Sequence, residues 1–80
     1  MKWYVIAVML ESGMIDFEMT RSRDPDWACN RVSRNHLWNH GTMIVGSYRL
    51  RQDAEDKLNR LECMSQYNRH LILGGTCDDF

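Results

Sequence analysis

Between residues 21 and 40 the chain gathers Arg21, Arg23, Trp27, Arg31, Arg34, His36, Trp38 and His40, its densest group of interaction-type side chains. Guanidinium forks pair bidentately with carboxylate or phosphate, and indoles offer a broad apolar face. Protein contact surfaces use that combination, because Trp and Arg carry much of the binding energy there. Single-stranded nucleic acid uses it too, with Arg on phosphate and Trp stacked on a base. A third reading needs no partner: the two tryptophans cap one face of a sheet while the arginines are solvated or pair with Asp24 and Asp26. The formal net charge of −1 supplies no general attraction to polyanions or anionic membranes. Protein contact through Arg21, Arg23, Trp27, Arg31, Arg34 and Trp38 is therefore the leading expectation. RNA or single-stranded DNA binding through the same segment is the alternative.

Other chemistries are weaker. Cys29, His36 and His40, completed by Cys63 or Cys77, have the residue types of a tetrahedral zinc site, but a six-residue and then a three-residue gap lacks the close Cys pair of structural sites. Solvated histidines and partly buried thiols explain them better, so no metal is expected. A Cys, a His and an Asp are formally available for nucleophilic catalysis, as in almost any chain of this composition. Cys63 falls near the apolar edge of a helical pattern and reads as a small hydrophobe. Asp16 and Glu18, two apart on a strand, could work as an acid–base pair or hold a cation, although solvated strand faces look the same. Gly74-Gly75 opens no helix and has no accompanying lysine, so it cradles no phosphate. No enzyme and no cofactor are expected.

The elements that must position these groups follow from hydrophobic period. Residues 2–10 are apolar on both alternating faces, with Tyr4, Ile6, Val8 and Leu10 on one and Trp3, Val5, Ala7 and Met9 on the other. That suits a central strand covered on both sides. Lys2-Trp3-Tyr4-Val5-Ile6 resembles the first strand of NusG-type N-terminal domains; the resemblance covers those five residues and carries no function with it. Glu11-Ser12-Gly13 has turn chemistry, and residues 14–20 alternate Ile15, Phe17 and Met19 with Asp16, Glu18 and Thr20, so an antiparallel hairpin with a half-exposed second strand is expected. Asp24-Pro25-Asp26 breaks the strand and can open a short helix over residues 26–34, with Asn35, Asn39 and Gly41 in loop.

Residues 43–74 read as strand, helix, strand. A short β-prone run covers 43–48. Leu50, Ala54, Leu58 and Leu61 then mark one face of a helix over about 50–66, with Asp53–Lys57 and Asp56–Arg60 as i,i+4 pairs worth about 0.2–0.5 kcal/mol each. Residues 69–73 look like a returning strand. The fold class expected is α+β: a small four-stranded, mainly antiparallel sheet with one long helix on a face. If another strand separates the last two, the arrangement approaches a split βαβ unit.

Eighty residues form a single domain, 1–80, with residues 76–80 as a mobile acidic tail unless Phe80 docks. A chain this short has a thin core, so a homodimer is possible. Its six methionines suit adaptable packing in such a core, or an adaptable interface. Eight Arg against two Lys mildly favours contact surfaces, although a composition bias in the gene would give the same excess. Three dispersed cysteines make no disulfide framework, and the apolar run 3–10 is too short to span a bilayer and has no cleavage site after it. A cytoplasmic, non-enzymatic protein-binding module is the resulting expectation. Short chains that act alone often come from phage or other mobile elements and block a host machine, which adds a regulatory or inhibitory role.

Overall fold

The computed structural model describes residues 1–36 and 38–73. Their elements run β1 (Lys2–Leu10), β2 (Ile15–Ser22), α1 (Pro25–Asn35), β3 (Asn39–Tyr48), α2 (Arg51–Glu62) and α3 (Gln66–Leu73). The α+β class holds. The sheet has three strands in the order β2-β1-β3, and β1 is antiparallel to both neighbours.

β1 is central because its two faces are both apolar, and each has its own cover. Val5 and Ala7 join Ile15 and Phe17 beneath Ala54 and Leu61 of α2, with Leu73 of α3 packed alongside. Tyr4, Ile6 and Val8 pack beneath Ala28 and Val32 of α1. The chain thus builds two thin cores on one strand, and helices lie on both sides of the sheet. β2 and β3 flank β1, so the connection through α1 is a split crossover around the central strand.

The hairpin forms where expected. The Gly13 N–H donates to the Leu10 carbonyl at 2.9 Å, and Gly13 takes φ of 91°, open to glycine without strain. Its second strand buries Ile15 and Phe17 on one face and leaves the other partly exposed. α1 packs over it, so Asp16, Glu18 and Thr20 are half-buried, and Glu18 bonds the His36 ring at the far end of α1.

Four expectations are corrected. β3 begins at Asn39, so Asn39 and Gly41 are strand rather than loop; a register shift between Met9 and Leu10 accommodates Gly41, whose φ is 151°. The single helix over 50–66 is broken. Cys63 caps α2, the Met64 N–H closes a tight turn on the Leu61 carbonyl at 3.0 Å, and the Ser65 hydroxyl caps α3 by accepting the Asn68 N–H at 3.2 Å. The strand expected over residues 69–73 is not formed, because those residues belong to α3. The ion pair on α2 joins Arg51 to Glu55 at 3.0 Å, and Asp56 accepts from Gln52 instead of pairing with Arg60. Residues 74–80, with Gly74-Gly75, Cys77 and the expected tail, lie outside the described residues.

α1 starts where Asp24, in an extended conformation, accepts the Trp27 N–H on Oδ1 at 2.9 Å, with Pro25 in the first turn. Asp24→Ala is expected to remove about 1 kcal/mol and lower Tm by about 4–8 °C, whereas Asp24→Asn keeps the acceptor and stays near wild type. Thermal unfolding followed by circular dichroism checks both.

Candidate interaction surface

The Arg/Trp segment is held in place at both ends. At its start, the Ser22 hydroxyl donates to the Asp24 carbonyl at 3.0 Å and accepts the Asp24 N–H at 3.4 Å, which fixes the turn from β2 into α1. At its end, the Asn39 side-chain amide donates to Ser33 Oγ at 3.0 Å and to the His36 carbonyl at 2.7 Å. The contact between His36 and Glu18 ties the same region to β2.

Along α1, Ala28 and Val32 are buried against the sheet, which turns Trp27, Arg31 and Arg34 outward at i, i+4 and i+7. Arg21 near the end of β2 and Arg23 beyond it approach the same place. Arg21, Arg23, Trp27 and Arg31, together with Met1, Ser22 and Asp24, line an open cleft of about 300 Å³. Four of the six expected contact residues are therefore brought together. Arg34 continues the helix face about 10 Å along the axis from Trp27. Trp38 lies past the end of α1, outside the cleft.

Neither tryptophan caps the sheet. Trp27 is 60% exposed and Trp38 is 75% exposed, and α1 itself covers the face that they might have closed. Nor do the arginines pair locally. Among the described residues no ion pair joins Arg21, Arg23, Arg31 or Arg34 to Asp24 or Asp26, and Asp24 spends an oxygen on its cap. The partner-free reading thus loses its capping tryptophans and its ion pairs and keeps only its solvated arginines, since Arg21, Arg23, Arg31 and Arg34 are all exposed.

Two other arginines have architectural work. Arg51 lies over the Trp3 ring at 5.4 Å, and Arg69 lies over Phe17 at 5.1 Å. Met1 and Ser22 were not foreseen in the cleft; the Ser-x-Asp spacing before Pro25 was the available signal for Ser22.

Cys29 is half-buried on α1, packed against the cluster that the helix covers, His36 is engaged with Glu18, and His40 is exposed on β3. Among the described residues no three His, Cys, Asp or Glu side chains gather around a point. Asp16 and Glu18 do not act as a pair, since Asp16 accepts the Phe17 N–H and Glu18 holds His36. Cys63 is exposed at the end of α2, not tucked on its apolar edge. Among the described residues no helix is long and apolar enough to cross a membrane.

Comparisons of the chain with family models, with curated proteins and with solved structures each found no match.

Proposed function

We propose that this chain is a non-enzymatic protein-binding module, regulatory or inhibitory in role, whose contact surface is the cleft of Arg21, Arg23, Trp27 and Arg31 with Arg34 and Trp38 at its margin. The observation that carries the reading is Trp27, 60% exposed beside guanidinium groups that form no ion pair among the described residues. An indole in water at the mouth of a cleft is a large apolar area still to be buried, and arginines around it suit a partner carrying carboxylates. The cleft is shallow enough for one anchoring side chain rather than a substrate to be enclosed. Its one carboxylate caps a helix, so it presents no nucleophile with a base beside it.

Affinity capture from the native host, with the wild-type chain and the Trp27→Ala/Arg31→Glu variant immobilised in parallel, tests this. Truncating a central Trp is expected to cost at least about 2 kcal/mol, roughly 30-fold in Kd, before the charge reversal is added. The far-ultraviolet circular dichroism should stay unchanged, because both side chains are exposed. Identical captured proteins on both columns would remove the surface from consideration.

The same three guanidiniums around one indole also favour the second reading, single-stranded RNA or DNA, with a base stacked on Trp27 and phosphates on the arginines. Asp24 and Asp26 beside them, and the net charge of −1, weigh against it. Titration with mixed oligonucleotides separates the two: binding through phosphates must weaken steeply as salt rises. No binding at low salt would end the second reading.

A further inference from the structure

We propose that two copies of this chain associate through β3, edge to edge about a two-fold axis that passes beside Met43. The two edges of the sheet are not alike. At β2, the Gln66 side chain copies a neighbouring strand: its Oε1 accepts the Ile15 N–H at 2.8 Å and its Nε2 donates to the Ile15 carbonyl at 3.0 Å. The Phe17 N–H is taken by Asp16 Oδ1. Asp16, Glu18 and Arg21 add charge along that edge, the usual means of discouraging a further strand. β3 has none of this. From Asn39 to Tyr48 it carries no Asp, Glu, Lys, Arg or Pro.

The register shows which β3 groups face outward. Gln66 can grip both polar groups of Ile15 only if they point away from β1, so Ile15 and Met9 form a non-bonded pair. Alternation then directs the polar groups of Ala7 and Met9 toward β3, and those of Ile6 and Val8 toward β2. Opposite Val8 and Ile6 on β3 stand Thr42 and Ile44, whose N–H and C=O groups consequently turn away from the sheet. Among the described residues no turn or side chain meets them. The two register shifts lie at either end of this run, so the stretch from Gly41 to Ile44 is regular.

An antiparallel copy fits that run. With the axis at Met43, Thr42 exchanges both backbone bonds with the partner's Ile44, and Ile44 does the same with the partner's Thr42. The two Met43 side chains, each 48% exposed in the single chain, meet at the axis. They lie on the sheet face shared with Ala7, where an apolar cleft of about 320 Å³ runs between β3 and Leu73. No charged residue enters the pairing, and a net charge of −1 leaves little repulsion between copies. Both strands are already extended, so association costs less ordering than capture of a disordered peptide would.

Sedimentation of the full chain over a range of concentrations should show a monomer–dimer equilibrium. Met43→Glu sets two carboxylates against each other at the axis and should weaken it by about 100-fold or more, with an unchanged circular dichroism spectrum. Hydrogen exchange needs no variant: the Thr42 and Ile44 amides should gain protection as concentration rises. Trp27→Ala should leave the equilibrium unaltered, so this proposal and the cleft reading stand or fall separately. A chain that stays monomeric up to about 1 mM overturns it, a limit that corresponds to about 4 kcal/mol of association free energy. A dimer indifferent to Met43→Glu, or one whose Thr42 and Ile44 amides exchange freely, overturns it equally.

Discussion

Ile6→Ala is expected to lower the unfolding free energy by about 3–5 kcal/mol. Ile6 is fully buried at the middle of the central strand and packs in the cluster that α1 closes with Ala28 and Val32. Removing its outer carbons leaves a void between strand and helix, and the neighbours on β2 and β3 are fixed by ladder bonds and cannot collapse into it. A domain of this size is stable by roughly 4–12 kcal/mol, taking about 0.05–0.15 kcal/mol per residue, so one substitution removes a large share. Urea unfolding by circular dichroism measures it, with Ile72→Ala as a control. Ile72 is 45% exposed, and its loss should cost well under half as much. A change below about 1.5 kcal/mol for Ile6→Ala would mean that α1 is not packed on the sheet as described.

Arg69→Ala is expected to release α3. Its guanidinium donates to three carbonyls, Ile15 at 2.7 Å, Met64 at 3.1 Å and Glu62 at 2.9 Å, and covers the Phe17 ring. Hydrogen bonds from a charged donor are worth about 1.5–3 kcal/mol when partly shielded, and α3 has eight residues, too few to persist as a helix alone. A global loss of about 2 kcal/mol should therefore accompany a larger local effect, with α3 amides exchanging nearly as free peptide while those of β1 stay protected. Arg69→Lys should recover little, because an ammonium cannot span three acceptors in one plane. Unchanged protection of α3 in Arg69→Ala would show that burial of Leu73, rather than the guanidinium, holds the helix.

The same residue explains where sequence reasoning went astray. Residues 69–73 form a short apolar run, and periodicity cannot separate a buried strand from a helical segment over so few positions. What decided the matter was polar: Gln66, Arg69 and His70 fall at i, i+3 and i+4. The first two reach Ile15, and His70 reaches the Gly13 carbonyl. Those partners are more than fifty residues away, so no local pattern displays them. β1 was legible because a strand apolar on both faces must be covered twice, and the hairpin and α1 were legible because Gly13, Asp24 and Pro25 act on their immediate neighbours. The break between α2 and α3 is marked by Ser65, but Met64 continues the apolar spacing across it. At the candidate surface the helical spacing of Trp27, Arg31 and Arg34 was readable. The approach of Arg21 and Arg23 was set by the Ser22–Asp24 turn, and the detachment of Trp38 from the cleft by the Asn39 clamp; neither is periodic.

The amide of Gln66 has a consequence for growth. A sheet with two open edges adds copies without limit and ends as a fibre. In the proposed dimer, joining two β3 strands would consume both open edges at once and leave at either flank a β2 edge whose first residue, Ile15, is already held by Gln66. The product of that proposed pairing would present only its guarded β2 edges outside, which disfavours elongation much as a chain polymer stops when both termini are capped. Gln66 on α3, with Asp16 on the Phe17 N–H, would thereby work against unlimited assembly.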